Sequence, residues 1–325
     1  MDQRSRRHIE AIEACDAFPR FATVSRREFL LSGAALIGAG LAAGTVFGAA
    51  KPGDGISIGI FTDSHYADRK RGGSRYYSDS SAKLAEFVAE MNKAKPDFAI
   101  VLGDFVDKGK TLQAETAYLK HIEGVFARFK GPRHHVIGNH DVATLTKAQF
   151  VAGAGMPGPN YSFDSGPVHC IVLDANFKKD LTPYNAGNFN WTQTYVPPDE
   201  LKWLKDDLKK TKRKTVVFIH QPLDDEKGAH GVKNAPEVRR ILEQSGKVQA
   251  VFQGHNHKGA YNRINGIQYF TMKAMVEGPG LKNNSFSLAR ISADGVTFKG
   301  FGKQPAYPPK AGTTTAPTGS KTRNH

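Results

Sequence analysis

The chain has 325 residues, 39% hydrophobic and 23% charged, with a mean hydropathy of -0.44. That length can bury a sizeable core as one large or two small domains, and the composition is that of a soluble globular protein with no compositional extreme. The formal net charge of +14 suits anionic partners (phosphorylated molecules, nucleic acid, an acidic membrane surface) without choosing among them.

In chain order the first feature is a targeting signal. Arg26 and Arg27 are followed by Glu28 and then Phe29 and Leu30, and residues 29–50 carry no charge and are rich in Ala, Gly and Leu. The run closes on Gly48-Ala49-Ala50, small residues that suit a signal peptidase. This layout predicts a twin-arginine (Tat) secretory signal over residues 1–50, export of the folded protein to the periplasm or the outside, and the Tat machinery as a partner. Retention of the run as a membrane anchor is the alternative to cleavage. Cleavage would remove Cys15 and leave Cys170 alone in an apolar run, where a core role is expected.

From Ile56 on, strand-like and helix-like segments alternate. Residues 56–61 form an apolar run; Leu84, Phe87, Val88 and Met91 recur at helical spacing, and Pro96 stops that helix. Further strands are expected at residues 98–102, 134–137, 170–173, 215–219 and 248–252, and helices at 112–129, 199–210 and 236–245. The last third turns to strands at 268–272, 286–291 and 296–301. The pattern predicts an α/β fold with a second or mixed sheet over one domain, residues 51–303. Residues 178–198, with Tyr184, Phe189, Trp191 and Tyr195, read as a loop insertion that either lines a site as a lid or packs on itself. Residues 304–325, rich in Pro, Thr, Gly and Lys, read as a disordered basic tail.

Five short motifs each follow a predicted strand: Asp63-Ser64-His65, Gly103-Asp104-Phe105-Val106-Asp107, Gly138-Asn139-His140-Asp141, His220, and Gly254-His255-Asn256-His257. Loops at the carboxyl ends of strands converge in an open α/β sheet, so carboxylates, a carboxamide and imidazoles would meet in one crevice. That donor mixture suits divalent transition metals, and a pair of them about 3.5–4 Å apart clamps a phosphoester.

The order D-x-H, G-D-x-x-D, G-N-H-D, H and G-H-x-H resembles the calcineurin-like metallophosphoesterase superfamily, from about Ile56 to Lys258. The resemblance implies two mixed sheets packed face to face and flanked by helices, and two divalent metals (Mn, Fe or Zn). Asp63, His65 and His257 would bind one metal, Asn139, His220 and His255 the other, and Asp104 would bridge them. A hydroxide between the metals would attack phosphorus, with His140 on the leaving-group side and Asp141 orienting it. Asp107 stands where purple acid phosphatases place an iron-binding tyrosine, which argues against a ferric purple site. Arg75-Tyr76-Tyr77, Glu277 and the segment from Gly254 to Tyr261 are similar to the manganese-dependent ADP-ribose/CDP-alcohol diphosphatase branch.

Together these readings predict an exported hydrolase of phosphoester or phosphoanhydride bonds, acting on phosphorylated small molecules of nucleotide diester type. Arg75, Tyr76 and Tyr77 are candidate substrate contacts, with a solvated basic loop as the alternative. The rival functions are a phosphomonoesterase, a nuclease, or a silent phosphate- or nucleic-acid-binding module; nucleic acid is the less favoured partner. His134, His135 and His169 read as structural.

Overall fold

The computed structural model describes residues 55–225 and 228–308. The signal expected over residues 1–50 lies outside them. Among the described residues no helix is long and apolar enough to cross a membrane.

Two sheets carry the fold. The first has the order β11(Gly295–Gly302), β10(Ser285–Ser292), β1(Gly55–Phe61), β2(Phe98–Val101), β3(Arg133–His135). The second runs β4(Tyr161–Ser165), β5(Val168–Val172), β6(Lys214–Phe218), β7(Val248–Gln253), β9(Ile267–Thr271), β8(Ala260–Ile264). Strands β1, β2 and β3 are mutually parallel, as are β5, β6, β7 and β9, while the outer strands join antiparallel.

Alternation along the strands explains the layering. Ile56, Ile58 and Ile60 of β1 and Phe98 and Ile100 of β2 meet Cys170, Val172, Val216, Phe218 and Phe252 of the second sheet in the central core. Burying each such side chain contributes roughly 1.5–3 kcal/mol. Phe61, Ala99 and Val101 point the other way, onto α1(Asp79–Ala94) and α2(Leu112–Phe126), with Phe150 of α3(Lys147–Gly153) in the same cluster. The opposite face of the second sheet is covered by α4(Pro198–Lys210) and α5(Ala235–Ser245) through Leu201, Leu204, Leu208, Val238 and Leu242. The result is the helix–sheet–sheet–helix sandwich that the resemblance implied.

Three elements had no counterpart in the sequence reading: β4, β8 and α3. Residues 304–308 of the expected tail are described and held in place; residues 309–325 lie outside the described residues. Tyr307 pairs with Phe298 through two backbone hydrogen bonds of 2.8 and 2.9 Å, and the buried Gln304 side chain accepts from the Lys273 amide at 2.9 Å. Composition alone suggested a disordered start, but one aromatic ring seated on β11 anchors these residues.

Candidate metal centre

The carboxyl ends of six parallel strands point to one place. Asp63 and His65 follow β1, Asp104 follows β2, Asn139 and His140 follow β3, His220 follows β6, His255 and His257 follow β7, and Glu277 follows β9. The turns are tight. Asp63, His65, Asp104 and His255 all have positive φ, from 43° to 65°, without being glycine. Such backbone costs about 1–3 kcal/mol per residue and gathers where function requires it. A Cβ on Gly138 would lie 2.2 Å from the Asp104 amide nitrogen, and one on Gly254 would lie 2.2 Å from Thr62 Oγ1, so both turns require glycine.

Within this crevice the donor atoms form overlapping groups: Asp63, His65 and His257; His65, Asp104 and His140; and Asp104, His220 and His255. Asp104 joins them, its Oδ2 lying 3.4 Å from His65 Nε2 and 3.2 Å from His220 Nε2. The protein fixes one atom of most of these side chains and leaves the other facing the centre. His220 donates from Nδ1 to the Leu102 carbonyl at 2.7 Å, His65 from Nδ1 to Asp107 at 2.9 Å, and His257 from Nδ1 to Glu277 at 2.6 Å. Asp63 Oδ2 accepts from the Thr62 hydroxyl at 2.6 Å and the His255 amide at 3.0 Å, while Asp104 Oδ1 accepts from the His140 amide at 2.8 Å. Among the described residues, buried atoms of the same set have no hydrogen-bond partner: Asp63 Oδ1, both polar atoms of the Asn139 carboxamide, His220 Nε2 and His255 Nε2. Orphaned polar atoms this deep are costly unless something binds them. The neutral tautomers set by the outer partners are those a metal requires, so the residues fit a pair of divalent ions.

The electrostatics agree. Burial raises the Asp63 and Asp104 carboxyls, but the surrounding imidazoles outweigh it and hold both well below the usual range. Against burial, the Asp104 carboxylate pushes His220 up to about 9, and Asp63 with Glu277 pushes His257 up to about 9. Burial, with the His220 charge, lowers His255 to about 3. The centre is thus a set of negative carboxylates that holds protons on two imidazoles when no other cation is present.

The residue behind His140 is not the expected one. Asp141 accepts backbone N–H groups from Phe105 at 2.7 Å, Val106 at 3.0 Å and Gly138 at 2.8 Å, so both its oxygens are taken by the loops carrying Asp104 and Asn139. Burial and the Asp104 charge push it up to about 8. His140 instead has Nδ1 3.2 Å from the Asp107 carboxylate, which also takes the Arg69 guanidinium at 2.6 Å. Asp107 is therefore a buried partner of the centre, marked in the sequence only by its i, i+3 spacing from Asp104.

The three candidate substrate contacts separate. Arg75 stands at the rim, 3.6 Å from Asp107, with its backbone bridged to Glu277. Tyr76 is half-buried. Tyr77 is buried, packed with Ala67, Ala274 and Val276 under the Arg69 guanidinium, which corrects its assignment: it is a packing residue. The 178–198 insertion does reach the centre, with Phe189 5.8 Å from the His140 ring and Trp191 5.9 Å from the His255 ring. His134, His135 and His169 bind Phe163, Glu123 and the Asp164–Asp207 pair, as structural residues do. A groove of about 650 Å³ between α4 and α5 contains none of the centre's residues.

Fold and site together define a hydrolase built around a cluster of metal-binding side chains. The chain belongs to the calcineurin-like phosphoesterase family, whose sequence profile matches residues 56–259; it is a metal-dependent phosphoesterase-class enzyme. The manganese-dependent ADP-ribose/CDP-alcohol diphosphatase of Oryza sativa subsp. japonica is 28% identical over 275 residues, covering 69% of this chain and 84% of that one. That of Arabidopsis thaliana is 24% identical over 278 residues, covering 69% and 87%. A dimetal phosphatase structure from Danio rerio superposes with a TM-score of 0.64 at 19% identity, covering 77% of this chain and 96% of that one.

Proposed function

We propose that this enzyme hydrolyses phosphoester or phosphoanhydride bonds in nucleotide-type small molecules, using two divalent ions held by Asp63, His65 and His257 and by Asn139, His220 and His255, with Asp104 shared. The observation that carries this reading is the convergence of pinned side chains on one point, where His65 and His257 meet through their Nε2 atoms at 3.1 Å and the free donor atoms of Asp63, Asn139, His220 and His255 find no partner among the described residues. Two such ions supply Lewis acidity to the phosphoryl oxygens and acidify the attacking water. The chain's own residues do the rest. His140 has its Nδ1 3.2 Å from the Asp107 carboxylate, and the Asp104 and Asp107 charges raise its pKa against burial, which favours its holding a proton. As the water oxygen bonds to phosphorus and the ester oxygen departs, His140 gives that proton to the leaving oxygen. Arg75 at the rim, 3.6 Å from Asp107, would meet a second phosphate of the substrate. The relatives named for ADP-ribose and CDP-alcohols support the nucleotide type of substrate.

Protein of measured metal content, assayed with Mn²⁺ on ADP-ribose, CDP-choline, bis-p-nitrophenyl phosphate and p-nitrophenyl phosphate, tests the reading. Turnover of the nucleotide diphosphates above the monoester is expected; hydrolysis of none of the four would leave a silent binding module. Export by the twin-arginine route belongs to the same proposal, supported by Arg26-Arg27 and the uncharged run after them. Replacing both arginines by lysine should trap the protein in the cytoplasm, and unchanged export would reject the route.

A further inference from the structure

Among the described residues Trp191 is one of few large hydrophobic side chains left exposed, at 42%, and it stands at the rim of the metal centre. Its ring centroid is 5.9 Å from that of His255 and 5.3 Å from that of His230, and the two imidazoles are 5.4 Å apart. The indole thus rests on two rings while much of its surface remains open to solvent. The loop beneath it is fixed: the Tyr184 hydroxyl bonds the Gln193 carbonyl at 2.8 Å and lies against the Asn190 carbonyl, and the Gln193 amide donates to Asn190 at 2.8 Å. An aromatic ring held at a set angle with an open face offers a stacking surface that loses little entropy on use. At 5.3 Å, Trp191 and His230 are too close to admit a ring between them, so His230 supports the indole from behind. Arg75 lies elsewhere on the rim, by Asp107 and Glu277.

We infer that Trp191, buttressed by His230, is the platform on which a nucleobase-like heteroaromatic ring of the substrate stacks beside His255. This rests on the proposed reading of a nucleotide-type substrate, and it assigns the ring-reading residue. The alternative is that the indole only shields His255 from water.

The chain has two tryptophans, so Trp203→Phe leaves Trp191 as the sole fluorophore of its kind. In the zinc-loaded variant, AMP should quench that emission saturably, and ribose 5-phosphate, which has the phosphate but no base, should not. In the otherwise native chain, Trp191→Ala should weaken AMP binding about tenfold in calorimetry, within the range that base–aromatic stacking gives. It should leave ribose 5-phosphate affinity and zinc content unchanged, and Trp191→Phe should restore most of the AMP affinity. Absence of quenching by AMP, an equal response to both ligands, or loss of zinc in Trp191→Ala would overturn the inference in favour of a cover for His255. These readouts do not use turnover. An enzyme that hydrolyses phosphoesters without AMP quenching loses the inference alone, and one that is quenched but inert loses the proposed reaction alone.

Discussion

Asp107 holds both His65 and His140: its Oδ2 accepts from His65 Nδ1 at 2.9 Å and lies 3.2 Å from His140 Nδ1. One carboxylate oxygen therefore links a candidate metal ligand to the candidate acid. Its remaining oxygen takes the Arg69 guanidinium and the Lys108 amide, so the group is anchored on the side away from the centre.

Asp107→Asn should lower activity by about 10–100-fold, the usual cost of an outer-shell partner. An amide can still accept from one imidazole but carries no charge to keep His140 protonated, so the acidic group should lose its proton at lower pH and the alkaline limb of kcat should move down. A His140→Ala, Asp107→Asn double variant no worse than His140→Ala alone would place the effect on that pair. An Asp107→Asn enzyme with an unshifted pH profile would count against it.

Asp104→Asn should do more damage than any outer-shell change. Asp104 Oδ2 is within 3.4 Å of imidazoles from both halves of the centre, and its charge is the main force raising His220 against burial. Removing that charge takes away the shared anion that offsets two adjacent dications. Metal analysis should show one or both ions lost together with turnover, beyond the about 10–100-fold of an outer-shell loss; full occupancy with full activity would reject the shared role.

Much of this centre was legible in the sequence because strand-end placement is encoded locally. A short apolar run followed by Asp, His or Asn sends the polar residue to the sheet's carboxyl edge, and five such runs converge. What sequence adjacency could not reveal was direction. Residues His140–Val142 form a 3₁₀ turn, so neighbouring His140 and Asp141 point apart, and Asp141 spends its oxygens on backbone amides. Edge strand β8 has an almost wholly exposed pattern and gives no alternation to detect, and α3 has only seven residues. Tyr77 looked available for stacking, but only the tertiary contacts of Ala274 and Val276 show it to be buried.

Lys83 is a buried cation of α1 whose ammonium bonds no carboxylate among the described residues; it donates to the carbonyls of Met275 at 2.8 Å, Glu277 at 3.1 Å and Gly278 at 2.8 Å. Those residues form the loop whose Glu277 fixes His257. Lys83→Met keeps the volume but strands three acceptors, each costing roughly 1–3 kcal/mol when left unpaired, so a loss on the order of 3 kcal/mol is expected after local relaxation. Urea unfolding of metal-free protein measures it. A change under about 0.5 kcal/mol, the range of ordinary surface substitutions, would mean that water replaces the ammonium without cost.

Metal loading should release protons and weaken in acid. In the metal-free protein His220 and His257 are pushed up to about 9, above the free-imidazole value of 6.5, so both are protonated at neutral pH. For each, the folded pKa exceeds the unfolded one, so the stability these imidazoles give the metal-free fold is full below about 6.5 and disappears as pH rises through 9. A metal needs the same nitrogens deprotonated. Apparent affinity should therefore climb with pH up to about 9 and flatten above it. Calorimetric titration of Mn²⁺ at pH 7 in two buffers of different ionisation enthalpy should show about two protons released per pair of ions. Release of none would mean that these imidazoles are already neutral, and that the carboxylates around them do not hold the charge their geometry implies.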